Sequence, residues 1–327
     1  MSEFDLIRRY FSRGPRRPDA AIGIGDDGAV LRPPAGCELV VAMDTLVADV
    51  HFPATARATD VGHKALAVNL SDLAAMGAEA AWATLALTLP RPDPAWLEGF
   101  AAGFFALAAE HGVQLVGGDT TRGPLTVTVQ AHGFIPAGRA LGRAGARPGD
   151  VLLLSGTVGE AALALAAWRE RRILPPAAAG CLERRWHRPS PRLALGRAAR
   201  DWAHAAIDVS DGVAADLAHL LEASGVGARL ELARLPLSAA ARAAAAELGL
   251  GQEALWRLAL SGGDDYELLL AVPPKRLEEA LAAGRALGCP CTPIGALSAA
   301  PGLQLQRKDG TAFSLASPGY DHFRERQ

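Results

Sequence analysis

Lysine is nearly missing from this 327-residue chain. It occurs only at Lys64, Lys275 and Lys308, and arginine supplies the other positive charges. The formal net charge is −2 and there is no lysine-rich tail, which argues against a protein that works on nucleic acid or an anionic membrane. Cysteine is scarce too. Cys37, Cys181, Cys289 and Cys291 form no paired CxxC knuckle, which speaks against a zinc module or disulfide framework and for buried free thiols. The longest apolar stretches, such as "LALTLP" and "ALALAAW", fall well short of a membrane span. The first residues, "MSEFDLIRRYF", carry early acids and no signal-peptide core, so a soluble, cytoplasmic protein is expected.

Familiar catalytic signatures are absent as well. No GxxxxGK[ST] occurs, so a P-loop is excluded, and the HRD and DFG triads of protein kinases are missing. Neither HExxH nor GxSxG is present. "GIGDDG" matches the dinucleotide fingerprint only in part and lacks the upstream strand.

What is present reads as an ordinary folded chain, 50% hydrophobic and 21% charged, long enough for two domains. Strand and helix signals alternate. "CELVVAMD" predicts a strand ending at Asp44, and "TDVGHKALAVNLSDLAAMGA" a helix capped by Thr59 or Asp60. "DPAWLEGFAAGFFALAAEHG" predicts a helix capped by Asp93, with Pro94 first and Gly112 closing it. "AAWATLALTLP", "VQLVGGDT" and "LTVTVQAHGFI" read as strands. "RAGARPGD", residues 143–150, is the natural boundary, after which the alternation restarts with "DVLLLSG" and "GEAALALAAW". Asp309-Gly310 marks a hairpin turn. The expected class is α/β (α+β), with domains at 1–146 and 147–327, each a mixed sheet packed with helices. Two such domains favour a ligand cleft between them.

"GIGDDGAVL", residues 23–31, poses the chemical question. Glycine-rich loops cradle phosphate, yet Asp26 and Asp27 would repel it. Either this is a turn with solvated acids, or a cation sits between acid and phosphate. Further acids fall where strands end or helices begin: Asp44, Asp119, Asp208, Asp264 and Asp265, with Asp211 placed to cap a helix and Asp72 inside an apolar one. Two carboxylates ~4 Å apart repel by roughly 1 kcal/mol in water and about 4 kcal/mol at an effective dielectric near 20. Acids that converge therefore shift their pKa values upward or recruit cations, and magnesium with a polyphosphate is one solution.

Seven segments in order, "GIGDDGAVL", "MDTLVADVHF", "KALAVNLSDLAAMGA", "LVGGDTTRGPLTVT", "AIDVSDGVAADL", "LSGGDDYELL" and "GYDHF", resemble the thiamine-monophosphate kinase family over essentially the whole chain. That family is related to aminoimidazole-ribonucleotide synthetase, selenophosphate synthetase and a hydrogenase-maturation protein, which share its two-domain fold. The resemblance implies transfer of a phosphoryl group from ATP to thiamine monophosphate (TMP), giving thiamine diphosphate and ADP with the help of several Mg2+ ions. It implies a homodimer that pairs through the N-terminal, ATP- and Mg-binding domain, and a C-terminal domain that completes the substrate site. Carried over by motif, Asp27, Asp44, Asp72, Asp119, Asp208 and Asp211 would be metal ligands. Gly118, Asp119, Arg143 and Ser210 would contact the nucleotide, and His51, Asp264 and Tyr320 the TMP. No covalent nucleophile is implied. Two positions depart from the family pattern: Ala42-Met43 stand where it has Ser-Thr, and Asp264 stands where it has Glu.

Overall fold

Asp93 accepts hydrogen bonds from the N–H groups of Ala95 (3.0 Å) and Trp96 (3.2 Å), Pro94 opens the helix, and Gly112 closes it at φ 65°. This helix, α3 (Pro94–His111), follows the sequence expectation at both ends. The computed structural model describes residues 3–317 and 319. Tyr320, expected to meet the thiamine rings, lies outside the described residues. The chain packs as two units, Met1–Leu73 with Ala78–Ala140, and Ala74–Gly77 with Leu141–Gln327.

The first unit begins with α1 (Glu3–Leu6), which runs into a π-helical turn at Ile7–Phe11. A two-stranded ribbon follows, β1 (Ala20–Ile22) with β2 (Val30–Leu31). The main sheet has the order β3-β6-β4-β5, formed by β3 (Cys37–Val47), β4 (Glu79–Leu89), β5 (Gln114–Arg122) and β6 (Thr126–Pro136). β4 and β5 run parallel, which requires the α3 crossover, and the other two pairings are antiparallel. β3 and β5 are therefore the edges. Helix α2 (Ala58–Ala75) lies backbone to backbone on α3. A Cβ on Gly62 would come 2.1 Å from the Phe100 carbonyl oxygen, and one on Gly103 would come 1.9 Å from that of Thr59. Both helices bury apolar residues, Leu66, Leu70 and Leu73 on α2, and Leu97, Phe100 and Phe104 on α3.

The second unit carries β7 (Val151–Ser155), α4 (Glu160–Arg169), α5 (Pro176–His187), α6 (Leu193–Ala199), β8 (Ala205–Val209) and α7 (Val213–Ser224). It continues with β9 (Gly227–Glu231), α8 (Ala239–Glu247), α9 (Gln252–Ser261), β10 (Glu267–Val272), α10 (Leu277–Ala286), β11 (Cys291–Ser298) and β12 (Gly302–Gln306). Its sheet has the order β12-β9-β11-β7-β10-β8, antiparallel except for β12 with β9. β10 is buried along its whole length between β7 and β8, as a continuous "ELLLAV" run demands. Each unit is thus a mixed sheet packed with helices, in agreement with the expected class.

Several local expectations are corrected. β3 continues past Asp44, because Thr45, Leu46 and Val47 pair with Thr128, Val127 and Thr126 of β6, and β-branched residues on both strands extend the ladder. β5 likewise runs to Arg122, so Asp119 is inside a strand. α2 starts at Ala58, which leaves Thr59 and Asp60 in its first turn, with Asp60 paired to Arg57 at 2.8 Å. Asp211 does not cap α7; the cap position belongs to Gly212. At Asp309-Gly310 a single antiparallel bridge, Gln306–Ala312, crosses the turn, while β12 itself pairs in parallel with β9. All four thiols are free, but only Cys289 is buried, and Cys181 is exposed.

Candidate functional site

A cavity of about 440 Å³ lies within the first unit. One part of its lining is apolar, with Phe4, Ile7 and Phe11 from the N-terminal helical segment and Leu85 and Leu115 from the sheet. The other part is the loop Gly25–Gly28, with Asp26 and Asp27, and the β5 segment Gly117–Thr120, with Asp119. Glycine is required at 118. A Cβ there would come 1.9 Å from the Leu85 carbonyl oxygen of the neighbouring strand. Gly25 at φ 115° turns the first loop, and the Asp27 N–H donates to Asp26 Oδ1 at 2.9 Å. The structure thus brings Asp27, Gly118 and Asp119 to one cavity, with both carboxylates exposed to it.

Asp44 lies on the opposite edge strand of the same sheet, His51 in the turn after it and Asp72 on α2. Asp44 stands across from Val129, Val129 from Leu85, and Leu85 from Gly118. Asp44 and Gly118 therefore end one ladder row, three strand spacings or about 14 Å apart along the sheet. Asn69 of α2, fully buried, accepts the Asp44 N–H at 3.0 Å and donates to the Ala65 carbonyl at 3.0 Å. Asp72 follows one helical turn later. His51 Nδ1 accepts the Val47 N–H at 3.0 Å, so the neutral ring carries its proton on Nε2. The buried Lys64 ammonium donates to the His51 carbonyl at 3.5 Å.

Among the described residues no group of three or more His, Cys, Asp or Glu side chains stands ready to hold a metal ion. Mg2+ does not require such a cage. It takes hard oxygen donors, keeps several waters, and is commonly held by one or two carboxylates together with substrate phosphates. Asp27 and Asp119, facing one cavity beside glycine backbone, fit that donor set.

In the second unit, two loops lie side by side at the ends of paired strands. The Asp264 N–H donates to the Ser210 carbonyl at 2.8 Å, and the Tyr266 N–H to the Val209 carbonyl at 2.7 Å. Tyr266 Oη donates to Asp264 Oδ1 at 3.2 Å. This gathers Asp208, Ser210, Asp211 and Asp264 around the junction of β8 and β10. Asp216, in the first turn of α7, was missed by sequence reasoning. One of its oxygens accepts the N–H groups of Ser210 (3.0 Å), Asp211 (3.0 Å) and Gly212 (3.1 Å). Burial and the charges of Asp208 and Asp211 push its pKa up to about 8, against those three donors, which favour the ionised form. Its position four residues past Gly212, inside a helical run, was the available signal. Arg143 is exposed, in a turn whose carbonyl accepts Ser224 Oγ at 2.8 Å.

Residues 25–135 match the model for the N-terminal domain of AIR synthase related proteins, and 147–308 the model for the C-terminal domain. The thiamine-monophosphate kinase of Escherichia coli (strain K12) is 49% identical over 325 residues, 98% of each chain. A crystal structure of thiamine-monophosphate kinase from Stenotrophomonas maltophilia K279a is 46% identical, with TM-score 0.87 over 96% of this chain and 98% of that one. AaThiL complexed with AMPPCP and TMP is 28% identical, with TM-score 0.79 over 98% and 96%. Hydrogenase maturation protein HypE, 20% identical with TM-score 0.77 over 99% of both chains, shares the fold. No helix among the described residues is long and apolar enough to cross a membrane. With both domain models matched and near-half identity along its length, the chain belongs to the thiamine-monophosphate kinase family of AIR synthase related proteins and is an enzyme, a phosphotransferase of that family.

Proposed function

We propose that this chain transfers the γ-phosphoryl group of ATP directly, in line, to the phosphate of TMP, producing thiamine diphosphate and ADP in the cytoplasm. The observation that carries this reading is the cavity of the first unit, which sets apolar walls beside a glycine-and-carboxylate lining. A nucleotide has the same division, a flat apolar base and a charged phosphate tail. The relative AaThiL binds TMP together with AMPPCP, in which a methylene replaces the oxygen bridging the β- and γ-phosphates of ATP.

The acceptor needs no strong base. A phosphate monoester has a second pKa near ~6 and is largely deprotonated at neutral pH. The difficulty is bringing two anions together, so positioning and charge neutralisation dominate. Gly118 and Asp119 take the nucleotide side of the cavity; Ser210 and Arg143 are the further nucleotide contacts of this reading. His51 offers an Nε2–H donor to the TMP phosphate, its tautomer set by the Val47 N–H. Asp264 holds the TMP with Tyr320. Asp27 and Asp119, and elsewhere Asp44, Asp72, Asp208 and Asp211, would hold Mg2+, which when bound would supply charge neutralisation to the phosphoryl oxygens. Residues 1–146 form the ATP- and Mg-binding, dimerising domain and 147–327 the domain that completes the substrate site.

A homodimer is part of this reading. β3 is an edge strand of eleven residues, and Leu39, Val41 and Met43 on it are 49%, 47% and 62% exposed. Long apolar edge strands call for a partner. A second copy of this chain is the proposed one.

Product analysis tests the function. Purified protein with ATP, Mg2+ and either TMP or thiamine should yield thiamine diphosphate and ADP from TMP alone. Turnover in EDTA, release of inorganic phosphate without acceptor, or efficient pyrophosphorylation of free thiamine would sink the reading.

A further inference from the structure

Three of the four residues from Gly263 to Tyr266 hold a left-handed backbone: Gly263 (φ 71°), Asp264 (φ 62°) and Tyr266 (φ 51°). Glycine adopts this region freely and aspartate tolerates it, but for a bulky tyrosine it is an outlier. Such strain persists only where the surroundings over-determine it. Here they do. Beyond the two backbone bonds to Val209 and Ser210, the buried Asp265 carboxylate accepts the Gly159 N–H at 2.9 and 3.1 Å. One guanidinium then ties the segment down. Arg185 Nη2 donates to the main-chain carbonyls of Asp265 (3.2 Å) and Thr157 (3.0 Å) and to Glu267 Oε1 (2.8 Å). Arg185 is itself held, with 14% of its side chain exposed, and the fully buried Glu267 also accepts Ser155 Oγ at 2.5 Å and Arg192 Nε at 2.7 Å.

We infer that Arg185 is a positioning residue for TMP: by bridging three acceptors it locks the strained turn that presents the Asp264 carboxylate. This rests on the reading that Asp264 contacts TMP. A planar fork is suited to the task, because a lysine ammonium offers a point charge and cannot reproduce the guanidinium's fixed donor geometry. The role differs from fold maintenance alone, since Arg192 continues to neutralise Glu267 when Arg185 is changed.

Steady-state kinetics on the full chain, with TMP and ATP varied separately and thermal melting alongside, tests it. Arg185→Lys is expected to raise the KM for TMP about tenfold, with kcat and the KM for ATP changing less than about twofold. A purely structural role would lower the active fraction, and hence kcat, with both KM values kept. Unchanged KM for TMP, or an equal rise in both KM values, overturns the inference. Tyr266→Gly supplies a second reading if the arginine variants fail to fold: it frees the outlier backbone that the bridge holds, so the KM for TMP should rise with kcat and the KM for ATP kept. An unchanged KM for TMP in that variant overturns the inference. Wild-type protein that does not phosphorylate TMP overturns the parent reading and this inference with it, whereas active wild type with an indifferent Arg185→Lys overturns this inference alone.

Discussion

The acids of the two units live in opposite conditions. In the first unit, Asp27 and Asp119 are exposed to a cavity and flanked by glycine. In the second, Asp216, Asp265 and Glu267 are buried and already engaged, by backbone N–H groups or by Arg185 and Arg192. The first arrangement leaves charge available to a ligand or cation. The second spends charge on holding loops in place. Burial pushes Asp265 well up from the ordinary carboxylate range, with Arg185 and the Gly159 N–H opposing. One aspartate can therefore stand open to a cavity while another serves as scaffold.

If the comparison holds, substitutions should separate cleanly into stability effects and activity effects. The largest stability effect belongs to Glu267→Ala, which takes the shared, fully buried acid from two half-buried guanidinium groups, leaving Arg185 only Glu160 at 3.5 Å, and should cost about 3 kcal/mol in urea unfolding. Next come Asp27→Asn and Asp119→Asn, each expected to lower turnover by about two orders of magnitude and to raise the magnesium requirement, with Tm nearly unchanged. Equal destabilisation by Asp27→Asn and Glu267→Ala would erase the distinction, and full activity of Asp27→Asn at low magnesium would make the first loop a plain turn. Asp216→Ala strips three N–H groups of one acceptor and should cost about 2 kcal/mol by chemical denaturation. Met43→Glu on the β3 edge should weaken self-association about tenfold, some 1.4 kcal/mol, read by light scattering across micromolar concentrations; a wild type that is monomeric throughout removes the dimer. Smallest is Asp93→Ala, the cap of α3, at about 1 kcal/mol in Tm-derived stability with turnover kept.

Local devices were legible in the sequence. Asp93, Pro94 and Gly112 bounded α3 correctly because a cap, an N1 proline and a left-handed terminus are each satisfied within a few residues. Strand extents were less legible. The strand at Asp44 runs three residues further because its end depends on Thr126, Val127 and Thr128 across the ladder. The cap at Asp211 failed for a related reason, since Asp216 reaches back over the same N–H groups from inside the helix. Asn69 and Lys64, inside the quoted "KALAVNLSD", were passed over as helix, yet they bond the Asp44 N–H and the His51 carbonyl.

By itself the sequence determined the class, the alternation of strands and helices, and the family, because periodicity, turn residues and ordered motifs are properties of neighbours along the chain. Only the tertiary structure decided which acids share a place. Asp27 and Asp119 are distant in sequence and line one cavity, whereas Asp44 sits at the far edge of the sheet that carries Asp119. Arg185, unremarkable in "CLERRWH", became the bridge between Thr157, Asp265 and Glu267. The physical reason is strand order: β4 and β5 pair across an entire helix, and β10 inserts between β7 and β8, so the partners of a charged side chain are set by the sheet rather than by sequence distance.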